Sequence, residues 1–197
     1  MMRATPESPR MFQSDFVDFF SRVPWWVVPV IYVPVIGALF TWGILGAGVP
    51  LLPSVGLFAV GAFVWTLVEY WLHRTLFHWT PPFAWGPRFH FFLHGVHHDW
   101  VNDKYRLVMP PVASAVLAVV FFAGWSVPLG TWVFPFFAGH VTGYLAYDML
   151  HYSMHHFKPK AKWLLKLRAH HMNHHHNKDG RKYGVSTTLW DHVFGTY

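Results

Sequence analysis

Cysteine is absent from this chain of 197 residues, and charged residues make up only 12% of it. Without cysteine there is no disulfide, no thiolate metal ligand and no cysteine nucleophile. The charged fraction is about half the roughly 25% of an average soluble domain. Acidic residues number only nine, against 15 Lys and Arg. The chain is long enough for one domain, but it has few groups with which to make a surface that is wet on all sides.

Long apolar runs are present instead, and they predict an all-α integral membrane protein. A spanning helix needs about 20 mostly apolar residues. Short uncharged turns at 46–50 and 127–130 join the runs in pairs, which predicts two helical hairpins. Four stretches qualify as spans, at about 25–46, 52–72, 109–127 and 129–150.

The basic residues predict the orientation of these spans. All 15 Lys and Arg fall within 1–22, 73–107 and 151–197, which an even number of spans places on one side. The positive-inside rule makes that side, with both termini, cytoplasmic. The membrane would be the endoplasmic reticulum in a eukaryote or the inner membrane in a bacterium. An unusually apolar soluble bundle is the alternative, but it would show this sidedness only by accident.

Residues 1–22 are predicted to form a cytoplasmic or interfacial segment ahead of a membrane domain at 23–197. They are polar and read poorly as a cleavable signal, since the first apolar run is too long for one. Phe12, Phe16, Phe19 and Phe20 share one helical face, with Asp15 and Asp18 elsewhere. This pattern indicates either an amphipathic helix on the membrane surface or an ordinary helix packed on the cytoplasmic cap.

Ten histidines predict a metal centre. Imidazole suits iron, zinc, copper and nickel alike, so their spacing points to a metal without naming it. Ten ligands are too many for one ion and suit two ions with about five each. Histidines merely packed in a core are the plain alternative for any single one of them. The four clusters are His73 and His78; His94, His97 and His98; His151 and His155; and His171, His174 and His175.

The clusters lie at the cytoplasmic ends of the apolar segments and in the stretches that follow. The cap would therefore comprise 73–107 and 151–197 and would hold the dimetal centre facing the bilayer. Histidines at i, i+3 and i+4 share a helical face. His73 and His78 are five apart, so we expect their helix to end or loosen between them.

Two carboxylates and a stripe of polar residues are further candidates. Glu69 and Asp148 each precede a clustered histidine by about one turn and could accept its second ring N–H. Ordinary helix-end charges facing headgroups are the alternative. His140, Tyr144 and Tyr147 form a stripe that could line a path from the bilayer to the metals, although His140 could equally serve helix packing.

At this point the chain resembles the fatty acid hydroxylase superfamily of membrane di-iron oxygenases, and within it the fatty acid 2-hydroxylases. The resemblance covers about 55–197, and DKYRLVMPP and WDHVFGTY are its specific motifs because metal binding does not require them. The stretches that carry it are WTLVEYWLHRTLFH (65–78), HGVHHDWVNDKYRLVMPP (94–111), YLAYDMLHYSMHH (144–156) and YGVSTTLWDHVFGTY (183–197).

The resemblance implies four transmembrane helices, a cytosolic cap and two iron ions held by the ten histidines alone. It implies O2-dependent hydroxylation of the carbon next to the carboxyl of a long acyl chain, free or within ceramide. Zinc has no redox chemistry and would be a substitute ion. No side chain acts as a nucleophile. Tyr105, Arg106 and Met109 are candidates for the substrate entrance, with packing as the alternative.

Many members of this family carry a fused cytochrome b5 domain, and this sequence has no haem-binding HPGG stretch. Electrons are therefore expected from a separate cytochrome b5-like or ferredoxin-like protein. Sterol desaturation and carotenoid hydroxylation are rival reactions within the superfamily. A zinc transporter is a distant rival, since transporter ligands lie near the bilayer midplane. Nucleic acid is not an expected partner, because the basic residues follow the membrane side.

Overall fold

The computed structural model describes Ser8, residues 10–176 and residues 180–197. Positions 1–7 and 9 of the predicted N-terminal segment, including Arg3, lie outside the described residues, as do 177–179 of the predicted cap. The described part is helical, with these helices: α1 (Asp15–Phe20), α2 (Val27–Leu45), α3 (Leu51–Trp71), α4 (Gly86–His90), α5 (Val96–Asp99), α6 (Pro111–Leu129), α7 (Val133–His156), α8 (Lys162–His176) and α9 (Leu189–Val193).

The four long helices form one bundle around α7. Helix α2 runs antiparallel to it, since the rings of Trp25 and Tyr152 meet at one end and those of Tyr32 and Tyr144 meet further along. Helix α6 is also antiparallel to α7, with ring contacts Phe122–Phe137 and Phe121–His140. Helix α3 lies parallel to α7.

Glycine allows α3 and α7 to approach closely. A Cβ added at Gly61 of α3 would lie 1.9 Å from the carbonyl oxygen of Phe136. A Cβ added at Gly139 of α7 would lie 1.9 Å from the carbonyl oxygen of Phe58. Small residues at helix contacts are typical of membrane bundles, where backbones pack directly against one another.

Three helical stretches are long and apolar enough to cross a membrane: Val27–Leu45, Leu51–Phe77 and Pro111–His156. The third comprises α6, a 3₁₀ turn at Gly130–Trp132 and α7. The predicted turn at 127–130 is displaced, because Pro128 lies inside α6 and the chain turns only at Gly130, where φ is 53°. A positive φ is readily adopted by glycine, which has no Cβ.

The helix that carries His73 and His78 does loosen between them. After Trp71 the chain continues as a π-helical turn, Leu72–Phe77. Its i→i+5 hydrogen bonds widen the helix, and such turns are frequent at functional sites. A second π-helical turn, Phe91–Gly95, precedes α5 and carries His94.

The N-terminal helix α1 packs on the cap through Asp18, in line with the second of the two alternatives for this segment, and leaves Phe16 and Phe20 exposed. Asp18 is buried, with Arg22 at 2.5 Å and Arg106 at 3.2 Å. The ring of Phe12 stacks on Phe92. The Asp18 carboxylate can be buried because two guanidinium groups balance its charge. The pattern of apolar residues in the sequence does not reveal these ion pairs.

Candidate metal centre

The ten clustered histidines lie in two groups of five at the cytoplasmic end predicted for the bundle. Within each group the candidate ligand atoms all lie within 4.8 Å of one another. Group one is His73, His78, His94, His98 and His174, and group two is His97, His151, His155, His171 and His175. Each group thus draws on more than one sequence cluster.

Each cluster of three histidines, spaced i, i+3 and i+4, is divided between the two groups. His94 and His98 join group one while His97 joins group two; in the other cluster, the pair His171 and His175 joins group two and His174 joins group one. On a helix, residues four apart lie nearly above one another, whereas the residue at i+3 is turned to the other side of that line. The same spacing therefore serves both groups at once.

The ring nitrogens of group one converge. The Nε2 atom of His73 lies 3.1 Å from that of His94 and 3.3 Å from that of His78. The Nε2 atom of His78 lies 2.9 Å from that of His174, and the Nε2 atoms of His94 and His98 are 3.0 Å apart.

In two rings of group one, a hydrogen bond at Nδ1 determines which ring nitrogen carries the proton. The Nδ1 atom of His73 donates to the Tyr183 carbonyl oxygen at 2.5 Å, and Nδ1 of His174 donates to that of Arg181 at 2.7 Å. The Nε2 atoms of these two neutral rings are then lone-pair acceptors. Lone pairs about 3 Å apart suit a shared cation, because ligands at right angles around an ion with bonds of about 2.1 Å are separated by about 3.0 Å.

Group two has the same convergence. The Nε2 atom of His171 lies 2.9 Å from that of His155 and 3.0 Å from that of His175. The Nε2 atom of His97 is buried and has no hydrogen-bond partner among the described residues. A buried lone pair without a partner is costly, so this group also fits a cation.

Burial keeps the cap imidazoles neutral. Burial, followed by the nearby His174 ring, lowers the pKa of His78 to about 3 and that of His98 to about 4. Burial also lowers the pKa of His97 and His171 well below the usual value. Near neutral pH these nitrogens carry free lone pairs, as metal ligation requires.

Comparison with known proteins assigns this chain to a family. A family model described as fatty acid hydroxylase matches residues 58–196, more than half of the chain. This chain belongs to the fatty acid hydroxylase family. The resemblance stated from the sequence motifs is confirmed.

Individual relatives agree with the family. A dihydroceramide fatty acyl 2-hydroxylase of Arabidopsis thaliana is 39% identical over 98% of this chain and 81% of the relative. A ceramide very long chain fatty acid hydroxylase of Saccharomyces cerevisiae is 40% identical over 93% of this chain and 48% of the relative. The human fatty acid 2-hydroxylase is 37% identical, over 95% and 56% respectively. The solved hydroxylase domain of Scs7p matches with a TM-score of 0.88 at 39% identity, covering 96% of this chain and 72% of that chain.

In this fatty acid hydroxylase, the two predicted carboxylates do not bond to the clustered histidines. Glu69 accepts the N–H groups of Val185 and Ser186 at 2.7 and 2.9 Å. Asp148 accepts the Met109 N–H at 3.4 Å and the Tyr144 hydroxyl at 3.2 Å. Proximity by one helical turn was the reason for expecting bonds to histidine. Backbone N–H groups from distant segments reach both carboxylates instead, and Asp148 also accepts from Tyr144, one turn earlier on its own helix.

Asp191 is the carboxylate that the sequence reasoning missed. It is fully buried and accepts from Nε2 of His170 at 3.0 Å and from the Tyr183 N–H at 2.8 Å. The carbonyl oxygen of the same Tyr183 accepts the Nδ1–H of His73. The signal was present in the WDHVFGTY motif, whose single acidic residue is Asp191, but its partners are brought together only by folding.

The entrance candidates are placed differently from one another. Arg106 is buried in ion pairs with Asp18 and Asp103, at 3.2 and 3.6 Å, so it holds α1 rather than lining an opening. Its packing alternative is the better description. Tyr105 beside it is exposed.

Three other candidates do share a cavity inside the bundle. Met109, His140 and Tyr144 line it together with Trp65 and Ser114. Its walls are almost wholly apolar. Tyr147 is buried outside this lining and stacks on the ring of His151, with centroids 5.7 Å apart. Of the predicted stripe, His140 and Tyr144 thus line the cavity, whereas Tyr147 contacts His151 of group two.

Proposed function

We propose that this chain is a membrane monooxygenase that hydroxylates the 2-position of long-chain fatty acyl groups, free or within ceramide. The carrying observation is the pair of five-histidine groups in a fatty acid hydroxylase. The relatives named above, at 37–40% identity, are themselves named as hydroxylases of fatty acyl groups, and two of those names specify the 2-position. Ceramide or dihydroceramide appears in two of these names, which supports a sphingolipid substrate.

We propose four membrane spans, with the His-rich cap and both termini in the cytoplasm. The 46-residue apolar stretch Pro111–His156 would cross twice, because α6 and α7 pack antiparallel on either side of Gly130. The turn at 46–50 and the turn at Gly130 carry no charge, whereas the basic residues lie at the opposite end of the bundle. That distribution is the one expected for a cytoplasmic cap.

We propose two iron ions, one in each histidine group. When bound, iron would supply the redox chemistry by which O2 attacks an alkyl C–H bond, because no side-chain base could remove that hydrogen as a proton. Zinc in a purified sample would be a substitute, since zinc is redox-inert. The neutral imidazoles would hold the ions through their lone pairs, so that binding would displace no proton from the rings. The small cavity along α7 has almost wholly apolar walls, so this side of the bundle offers apolar contacts to an acyl chain.

We further propose that a separate cytochrome b5-like or ferredoxin-like protein supplies electrons. Insertion of one oxygen atom from O2 releases the other as water, which consumes two electrons and two protons from outside the substrate. The chain's partners would then be a membrane lipid and an electron carrier, without nucleic acid.

The test is lipid mass spectrometry on a host that lacks 2-hydroxy lipids. Wild type should yield 2-hydroxy acyl products, and His174→Ala in group one and His171→Ala in group two should each yield none. His176→Ala is the matched control, because this exposed neighbour belongs to neither group and should keep wild-type product levels. Oxygenation or desaturation of a sterol or carotenoid instead would identify a different reaction of the superfamily. If no lipid product forms when iron and a reductant are supplied, the proposed monooxygenase activity is wrong and the metal-transporter alternative is favoured.

A further inference from the structure

The C-terminal strap, residues 181–197, crosses group one. The backbone carbonyls of Arg181 and Tyr183 accept the Nδ1–H groups of His174 and His73. The strap therefore sets the orientation of two rings that are about 100 residues apart in the sequence. A hydrogen bond to the outer nitrogen of a ligating histidine fixes its tautomer and orientation and raises its basicity as a ligand.

Two buried carboxylates hold the strap in this position. Asp191 accepts the N–H groups of Tyr183 and Gly184, both at 2.8 Å, and the Thr196 hydroxyl at 2.8 Å. Glu69, from α3, accepts the next two N–H groups, those of Val185 and Ser186. The four consecutive peptide N–H groups of residues 183–186 are thereby bound to carboxylate oxygens.

Group two lacks the strap, and among the described residues its rings have one backbone hydrogen bond of this kind, between His155 and Val101. The Nδ1 atoms of His151, His171 and His175 are buried and lack a hydrogen-bond partner there. The two groups thus match in number and type of ligand but differ in what holds the ligands.

We propose that the two metal positions are unequal: the strap makes group one the tightly held position and leaves group two exchangeable, with Asp191 as the positioning residue. This inference rests on the proposed metal centre. Loss of such an outer hydrogen-bond partner typically lowers metal affinity by about 10–100-fold. The difference between the groups is expected to be of that size.

Chelator-dependent release of iron from the purified, loaded protein provides the first test. Wild type should lose two ions in two phases separated by about 10–100-fold in rate. His171→Ala should retain only the slow phase, because group two is incomplete, and His174→Ala only the fast phase. A single phase that carries both ions, or a slow phase that persists in His174→Ala, would overturn the proposal.

Asp191→Asn provides the second test, because the side-chain amide places donors against the donors of the strap. The slow phase should accelerate by about 10–100-fold, with the fast phase unchanged. Asp15→Asn, an exposed carboxylate paired with Arg10, is the control and should leave both phases unchanged. Equal acceleration of both phases, or of neither, contradicts the assignment.

A third variant keeps the test decisive if Asp191→Asn does not fold. Ser186→Ala removes only the hydroxyl that Glu69 accepts, and it should accelerate the slow phase alone, by less than Asp191→Asn. An unchanged slow phase in this variant would contradict the role of the strap. A wild-type protein that binds no ion contradicts the proposed metal centre itself, whereas two ions released at one rate contradict only their inequality.

Discussion

The bundle and the cap are held together by different physics. In the bundle, α3 and α7 meet through backbone contacts at glycine, and the surroundings are apolar. In the cap, buried polar groups predominate: ten converging imidazoles, the Asp18 cluster and the carboxylates of the strap. The stability of the bundle should therefore depend on how closely its helices fit and not on pH or metal. The stability of the cap should depend on pH and metal.

The largest expected effect breaks the bundle through shape alone. Gly61→Val would place its Cβ 1.9 Å from the Phe136 carbonyl oxygen, so α3 and α7 must separate. We expect no folded, monodisperse protein by size-exclusion chromatography in detergent. Gly56→Val on the same helix is the control, since its Cβ meets nothing within 4 Å and the variant should elute as wild type. Equal behaviour of the two variants would refute the close contact.

Metal removal should separate the two regions. Chelation leaves the inward lone pairs of both groups without a cation, which destabilises the cap because metal binding and folding are coupled. Hydrogen exchange should rise strongly in 162–176 and 181–197, while the centres of α3 and α7 keep their protection. The control is reloading with iron, which should restore the cap. A uniform rise across both regions would mean that cap and bundle unfold together.

Acid should act on the metal-free cap in the same direction. The folded-state pKa values of His78 and His98, about 3 and 4, lie below the unfolded value of about 6.5. Between these values the unfolded state binds more protons, so stability falls as pH decreases from about 6.5 toward 4. Thermal unfolding monitored between pH 8 and pH 4 should show a falling midpoint. A midpoint that rises toward pH 4 would contradict burial of neutral imidazoles.

The smallest effect concerns the attachment of α1 to the cap. Asp18→Asn leaves Arg22 and Arg106 without the carboxylate between them, at a cost of about 3 kcal/mol. Proteolysis within 10–22 should accelerate, with the bundle unaffected. Asp15→Asn removes only an exposed pair, which is typically worth about 1 kcal/mol or less, so cleavage should stay near the wild-type rate. Indistinguishable cleavage of the two variants would show that the buried ion pairs do not hold α1.

The sequence by itself determined the helical membrane class, the choice of ten histidines as candidate metal ligands, and the family. Each of these depends on local composition, spacing or a contiguous motif. It also indicated the loosened helix at His73 and His78, since residues five apart fit no regular α-helical face. It ended the third apolar segment at 127, within a turn at 127–130, whereas α6 continues through Leu129 and the chain turns at Gly130.

Only the tertiary structure decided how the histidines are shared and what supports them. Adjacent histidines such as His97 and His98 go to different groups, because neighbouring side chains on a helix point in directions about 100° apart. Asp191, more than 100 residues from His73, supports that ring through the backbone of Tyr183. Such bonds join segments that no local pattern relates, since they form only when distant parts of the chain bury their polar groups against one another.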